Sequence, residues 1–461
     1  MYLAASVRYL SSEGRRETGD NGTVMDRRIG LEQEFFLLEG SGEPSVRADE
    51  FLGSCKEETG KHGSGPACFA PEFVMGLVEV STPPVRSLAD LEREYHTNLR
   101  LALGSARSLG LRLYPLGTYP LSFEPVARED LDYKVQVQTV GPKRFIHAGR
   151  CAGTHLHLEL AGGTVDPGVG ISAGATDAAR AEALGLNNLA TALDPALIFL
   201  TRSCPFYEGQ ITGPSPRTVH YRGGAAFGWE GVYTGLPWAG GLLAYTNTVE
   251  QLVRQQFDRY EAWLAAMDRA GIERHLFAEA GGDILRPAWN PVRINRQGTV
   301  ELRGMDSNYP EVTLMAIELA VSVADRVRRE ELTVIPDDAT RTFEVGGDTL
   351  RIPGFDQLSG TLLHHAVAGP LDDTIISEYL DSIIDFAGGG GRLAALRQDR
   401  LSGGAYPTTE ARILREYGSD YGHISKEDGI RLALEACDSL EAQVPGFRKD
   451  DEPEVANASR S

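Results

Sequence analysis

Ile29-Gly30-Leu31-Glu32-Gln33-Glu34-Phe35-Phe36-Leu37-Leu38 has the make-up of a core β-strand, yet it carries two carboxylates that such a strand does not ordinarily bury. Side chains alternate faces along a strand with period two, so Glu32 and Glu34 point the same way. Two like charges side by side on an apolar strand are costly unless something neutralises them. A divalent cation is the simplest neutraliser. That reading predicts further carboxylates on neighbouring strands.

The same grammar recurs downstream. Pro71 to Pro84 (PEFVMGLVEVSTPP) reads as a second strand stopped by a proline pair, with Glu79 between Val78 and Val80 and Glu72 at its start. Glu72 taken alone is equally a solvated strand end. Gly153 to Leu160 (GTHLHLEL) alternates strictly, placing His155, His157 and Glu159 on one face and Leu156, Leu158 and Leu160 on the other. A lone strand histidine is usually a satisfied core or surface residue; two at i and i+2 beside a carboxylate bring metal or phosphate contact into view. Trp289 to Asp306 has hairpin grammar with a turn at Gln297-Gly298. Glu301 and Arg303 share a face there, and Arg293 comes from the neighbouring strand; a structural Glu–Arg pair is the bland alternative. Three strands with polar residues at i and i+2 make a polar sheet face that a plain core does not contain.

Around these strands the chain reads as helices and loops. Helical spacing follows the capping pattern Ser87-Leu88-Ala89-Asp90 up to Gly110, and recurs over Asp177–Leu193, Asn247–Ala270 and Pro310–Glu331. A short helix is expected near Ala48–Lys56, a hairpin over Thr342–Ile352, and helices near Asp372–Ala387, Thr408–Tyr417 and Lys426–Leu440. Pro115–Arg150, Gly162–Gly174 and Ser203–Arg217 read as loops, and Gly388–Gly391 as a linker. The expected organisation is a polar, disordered leader over 1–24 (with Met25 an alternative start), a catalytic sheet domain over 25–335, a mostly helical region over 336–449 packed on it, and a disordered tail over 450–461.

Composition narrows the function. The 461 residues carry a formal net charge of −20, which argues against nucleic acid or an anionic membrane as partner. No apolar run approaches the roughly 18 residues of a membrane span. The five cysteines lack zinc or redox spacing, and no secretion signal precedes them, so reduced thiols in a cytoplasmic protein are expected. Homo-oligomerisation is left open.

Collected, the polar face offers Glu32, Glu34, Glu72, Glu79, His155 and Glu301 as metal ligands, with His157, Arg293 and Arg303 beside them. Oxygen-rich ligation with one imidazole suits Mg²⁺ or Mn²⁺ better than structural zinc. Carboxylates around more than one cation, flanked by arginines, suit phosphoryl transfer. With neither a Walker A motif nor a kinase glycine loop, a nucleotide would be held by metals and the sheet.

The runs IGLEQEF, PEFVMGLVEVSTPP, GTHLHLEL, SCPFYEGQITGPSPR, and WNPVR with GTVELRGMD, in this order over about residues 25–331, resemble the carboxylate–amine ligase group that includes glutamate–cysteine ligases of the glutamine-synthetase fold. The resemblance implies an α+β fold, an antiparallel β-sheet funnel with helices outside, holding Mg²⁺ and ATP. By position, it implies one Mg²⁺ at Glu34, Glu72 and Glu79, and a second at Glu32, His155 and Glu301 bridging the ATP phosphates. It puts His157 by those phosphates, Arg303 and Arg217 at the transferred phosphate or acid substrate, and Arg293 in support. Gln33 stands where related sequences often carry another acid. The implied reaction joins the γ-carboxylate of glutamate to an amine, such as that of cysteine, through an acyl phosphate. Ligation to another amine, a metal-dependent hydrolase without ATP, and a silent binding module are the competing readings.

Overall fold

The computed structural model describes residues 25–61, 68–224, 227–418 and 422–447. The expected leader (1–24) and tail (450–461) lie outside the described residues. The strands in chain order are Ile29–Glu39 (β1), Phe69–Pro71 (β2), Leu77–Ser81 (β3), Leu111–Tyr114 (β4) and Gly153–Glu159 (β5), then the short ribbon strands Val165–Asp166 (β6), Gly170–Ile171 (β7), Phe206–Tyr207 (β8) and Gln210–Ile211 (β9), then Val292–Asn295 (β10) and Thr299–Asp306 (β11), and last Thr333–Asp337 (β12), Glu344–Gly346 (β13) and Thr349–Pro353 (β14). One antiparallel sheet of seven strands dominates, in the order β10-β11-β5-β1-β3-β2, with β4 pairing the far end of β1. β1 is its spine, bonded to β3, β4 and β5. The architecture is the expected α+β arrangement of an antiparallel sheet covered by helices.

Alternation makes the sheet two-faced. Leu31, Phe35 and Leu37 of β1, Val78 and Val80 of β3, Leu156 and Leu158 of β5, and Val300 and Leu302 of β11 are all buried in one core. The helices Leu88–Ser108, Asp177–Thr201 and Pro310–Arg329 supply the other side of that core. Each such side chain contributes about 1.5–3 kcal/mol on burial, which is what makes a polar opposite face tolerable. Gln33 falls on this helix side: its amide donates to Asn308 O at 2.7 Å and accepts from the Tyr95 hydroxyl. Gln33 therefore has no part in the polar face.

Several local expectations are corrected. The strand read over Pro71–Thr82 is split, and Glu72 sits in the connection between β2 and β3 rather than at a strand's start. Leu131–Val140, Pro142–Phe145 and Ile146–Arg150 are helical where a loop was expected, and Gly391–Gly403 is a helix beyond the linker glycines. Short amphipathic turns with weak periodicity escape pattern reading. The expected C-terminal hairpin is a three-stranded sheet, because β12 adds in parallel to β14. No cysteine forms a disulfide among the described residues.

The helix predicted to end at Leu193 continues to Thr201 through Pro195. By length and apolar composition it is the one described helix that passes for a membrane span, which the sequence reading did not anticipate; 89% of that window is buried inside the fold. Within it Asp194 forks the guanidinium of Arg222 at 2.8 and 2.9 Å, both residues being buried. Gly304 of β11 makes room for this pair: a Cβ there would lie 1.9 Å from Asp194 Oδ1.

Removing one partner of a buried ion pair strands the other charge, so Asp194→Ala is expected to cost about 3–5 kcal/mol. Gly304→Ala, which forces the pair aside, is expected to cost about 1–3 kcal/mol. Urea unfolding midpoints measure both; wild-type midpoints would show that the pair does not anchor β11.

Candidate active site

The polar face is assembled across five strands by register. Glu34 of β1 lies opposite Glu79 of β3, and Glu32 opposite His155 of β5. A continuous row then runs Gly30, His157, Glu301, Arg293 across β1, β5, β11 and β10. The side chains that the sequence set apart by i and i+2 thus become lateral neighbours about one strand spacing apart.

At one end of this face the charges are balanced. Glu301, fully buried, is gripped by Arg293 through Nε and Nη2 at 2.6 and 3.1 Å. It also accepts from Arg303 Nη1 and from the Asn295 amide. Burial would raise its pKa, but the two arginines outweigh that and hold it well below the usual carboxylate range. His157 donates or accepts at Thr299 Oγ1 (2.9 Å) through Nδ1, and its Nε2 lies 3.2 Å from Glu32 Oε1. That second contact is a close charge pair without hydrogen-bond alignment. Burial works against a charged His157, yet Glu32 and Glu301 prevail and raise its pKa. Glu32 shows the mirror effect, lowered by His157 and His155 despite burial. His155 is lowered by burial and by Arg303. Glu159, on the same face further along β5, is taken up by Arg28 (Nε to Oε1 2.8 Å).

At the other end the charges are not balanced. Glu34 accepts from Gly153 N at 2.6 Å, and its other oxygen is 3.7 Å from His155 Nε2. Burial first, and then Glu34, push Glu72 up to about 8. Glu79 is raised well above its ordinary value by burial and by Glu32, Glu72 and Glu34. Without a cation this corner holds carboxyl groups that resist ionising.

Both ends fit a metal, for different reasons. One ligand atom each from Glu32, His155 and Glu301 lies within 4.8 Å of the others. This is the triad that the resemblance assigned to one ion. Glu34, Glu72 and Glu79, assigned to the other, repel one another in a buried corner, and the opposing pull of Arg303 does not offset this at Glu72 and Glu79. Hard oxygen donors of that kind suit Mg²⁺ or Mn²⁺.

The arginines divide. Arg303 Nη1 reaches Glu301 and lies 3.4 Å from His155 Nδ1, while its buried Nε has no partner. Arg293 is committed to Glu301 and to Ala288 O. Arg217 comes from the helix Pro216–Arg222 and donates to the carbonyls of Gly304 and Arg303, both at 3.2 Å. Gly153 is the residue that admits it, since a Cβ would come 2.1 Å from Arg217 Nη2. Three further residues join the site without having been singled out. Asn295 and Thr299 lie two residues from Arg293 and Glu301, so strict alternation would have found them. Tyr221, one helical turn after Arg217, sits in the combined field of Arg303, Glu34 and Arg217; only its i+4 spacing to Arg217 hinted at this.

Residues 28–345 match the profile of glutamate-cysteine ligase family 2. A Pseudomonas aeruginosa (strain LESB58) protein provisionally named glutamate–cysteine ligase 2 is 31% identical over 136 residues, 29% of this chain and 34% of that protein. A Saccharopolyspora erythraea protein, provisionally named glutamate–cysteine ligase 2-1, is 29% identical over 193 residues, 41% and 44% of the two chains. The chain thus spans between a third and a half of the length of the relatives it matches. Among solved structures, the glutamate–cysteine ligase of Francisella tularensis in complex with AMP superposes with a TM-score of 0.55 at 13% identity, over 93% of this chain and 91% of that one. A bifunctional glutathione synthetase from Pasteurella multocida gives 0.52 at 14%, over 90% and 53%. The fold is therefore shared with these ligases.

The pKa shifts carry a sign. Glu72 and Glu79 are raised from 4.5, so the stability they allow is present below 4.5 and lost as pH rises through about 8 for Glu72. His157, raised from 6.5, adds a loss in the same direction. Metal-free protein should melt progressively lower between pH 6.5 and about 8. Mg²⁺ or Mn²⁺ should restore more stability at the upper end than at the lower, and Glu72→Gln should flatten the profile. A pH-independent melting temperature, unchanged by either ion, would remove the electrostatic case for this site.

Proposed function

The chain belongs to glutamate-cysteine ligase family 2, and from that premise we propose that it is an ATP-dependent carboxylate–amine ligase of the glutamate–cysteine ligase type. The observation that carries the reading is the divided polar face. A Glu32–His155–Glu301 triad, backed by two arginines, adjoins the Glu34–Glu72–Glu79 group, in which burial and mutual repulsion outweigh the pull of Arg303 at Glu72 and Glu79. A hydrolase with a single metal has no need of the second half.

In the proposed reaction an oxygen of the γ-carboxylate of glutamate attacks the γ-phosphorus of ATP, and ADP leaves. The amine nitrogen, that of cysteine in the leading version, then attacks the acyl carbon, phosphate departs and the nitrogen loses a proton. Phosphorylation turns a poor leaving oxygen into a good one. Mg²⁺ or Mn²⁺ held by Glu34, Glu72 and Glu79, and by Glu32, His155 and Glu301, would supply neutralisation of the polyphosphate. His157, whose pKa Glu32 and Glu301 raise against burial, would lie along the phosphates. Arg303, with a donor to spare at Nε, would meet the transferred phosphate. Arg217, whose Nε is also unpartnered, would orient the acid substrate from the facing helix. Arg293 would keep Glu301 ionised and aimed. No charge-clustered nucleic-acid surface or second macromolecule enters this reading; the partners are small molecules.

ADP should appear only when acid, amine and divalent metal are all present, and a screen of amino-acid pairs identifies the acceptor. Glu34→Ala should lower turnover by on the order of a hundredfold or more. Glu301→Ala would also strand Arg293 and Arg303, at about 3–5 kcal/mol of stability, so Glu301→Gln is the cleaner companion. Metal-dependent cleavage of an amide or ester without nucleotide would favour the hydrolase instead. Near-normal turnover in Glu34→Ala would defeat the metal assignment.

A further inference from the structure

Outside edge strand β10 lies a concavity that the proposed chemistry does not use. The helix Val249–Arg269 and the passage before it enclose a groove of about 610 Å³, lined by Trp238, Leu243, Tyr245, Gln255 and Ala262, with Arg259 at its floor. A water-sized void beneath it is bordered by Gln256, Arg259, Thr191 and Arg293. Leu243, Gln255 and Arg259 line both spaces.

Arg259 is 4% exposed and has no carboxylate partner among the described residues. Its Nη1 makes one long contact, 3.4 Å to Asn290 Oδ1; Nε and Nη2 have none. Those two nitrogens share one edge of the guanidinium, the edge that takes a carboxylate side-on through two parallel hydrogen bonds. Gln256, 2% exposed, also leaves both amide atoms unpartnered. Gly170 accommodates it, since a Cβ at that position would lie 1.7 Å from Gln256 Oε1. The groove's other charges are already spoken for: Arg254 pairs with Asp258 at 2.9 Å, and Glu250 with Arg180 at 2.9 Å. Burial, and then the cation Arg293, bring the pKa of Arg259 down to about 9. A buried guanidinium beside a second cation, with its best donors unused, is costly until an anion arrives.

We propose that this groove binds a small monocarboxylate with an apolar body, its carboxylate taken side-on by Arg259 and its body laid against Trp238, Leu243 and Ala262. Gln255 is half-exposed and held by one bond to Ala244 O at 3.2 Å, so its rotation joins the groove to the void. Arg293 connects the two regions: it borders the void and grips Glu301. The site is independent of the ligase reading, because binding is measured without turnover.

Isothermal titration calorimetry with 3-phenylpropanoate tests it on the full chain. Wild-type protein should show saturable binding at one site. Arg259→Gln should weaken that binding at least tenfold with no loss of melting temperature, since it removes an unpaired buried charge. Ala262→Trp, which fills the groove from a half-exposed position one helical turn beyond Arg259 and leaves that guanidinium in place, should block binding even if Arg259→Gln folds poorly. Absence of saturable heat in wild type, or wild-type affinity in either folded variant, would overturn the proposal. Full displacement by ATP with Mg²⁺ would also overturn it, by making the groove part of the nucleotide site.

Discussion

Five carboxylates on one face of a seven-stranded sheet are the constraint that the rest of this molecule answers. Coulomb repulsion between neighbouring glutamates is weak in water and strong once the groups are buried. The fold meets this in two ways along the same face. Around Glu301 and Glu32 it brings two arginines and two histidines, and the carboxylates stay ionised. Around Glu72 and Glu79 only Arg303 opposes burial and the neighbouring glutamates, and both carboxyls are pushed up. A divalent cation has most to gain at the second end, and least displacement to do there.

The same contrast gives Glu301 two roles. As the partner of Arg293, Arg303 and Asn295 it is a buried structural anchor. As a member of the Glu32–His155–Glu301 triad it is within reach of a metal. The bland and the functional interpretations of the Glu–Arg pair are therefore not exclusive. An anion held by two arginines keeps its charge, and a charged carboxylate is what a hard cation selects. Glycines mark where this crowding is tightest. Gly153 admits Arg217 beside β5, and Gly304 admits the Asp194–Arg222 pair beside β11.

Much of the face was legible one strand at a time, because alternation with period two is local. Glu32 with Glu34, His155 with His157, and Glu301 with Arg303 each follow from spacing within a single segment. Thr299 and Asn295 obey the same rule and were passed over because neither is ionisable. Glu72 was misplaced because its segment reads as one strand, whereas the chain turns between β2 and β3. Tyr221 had only its i+4 spacing to Arg217 as a local signal, because its helix meets the sheet through contacts that no spacing in the sequence encodes. The helices inside Pro115–Arg150 are short and weakly amphipathic, and tertiary packing rather than periodicity sustains them.

The amino-acid sequence by itself determined that strands would carry carboxylates, histidines and arginines on one side and aliphatic residues on the other, since that depends only on the two-residue repeat of an extended chain. It also determined, through the order of its motifs, the kinship with carboxylate–amine ligases. Only the tertiary structure decided which of those side chains meet. Register sets Glu32 against His155 and Glu34 against Glu79, and a shift of one residue would have turned either set to the helix side. Register, not composition, also separates the neutralised end of the face from the uncompensated one, because electrostatic coupling falls with distance and distance is fixed only when the strands pair.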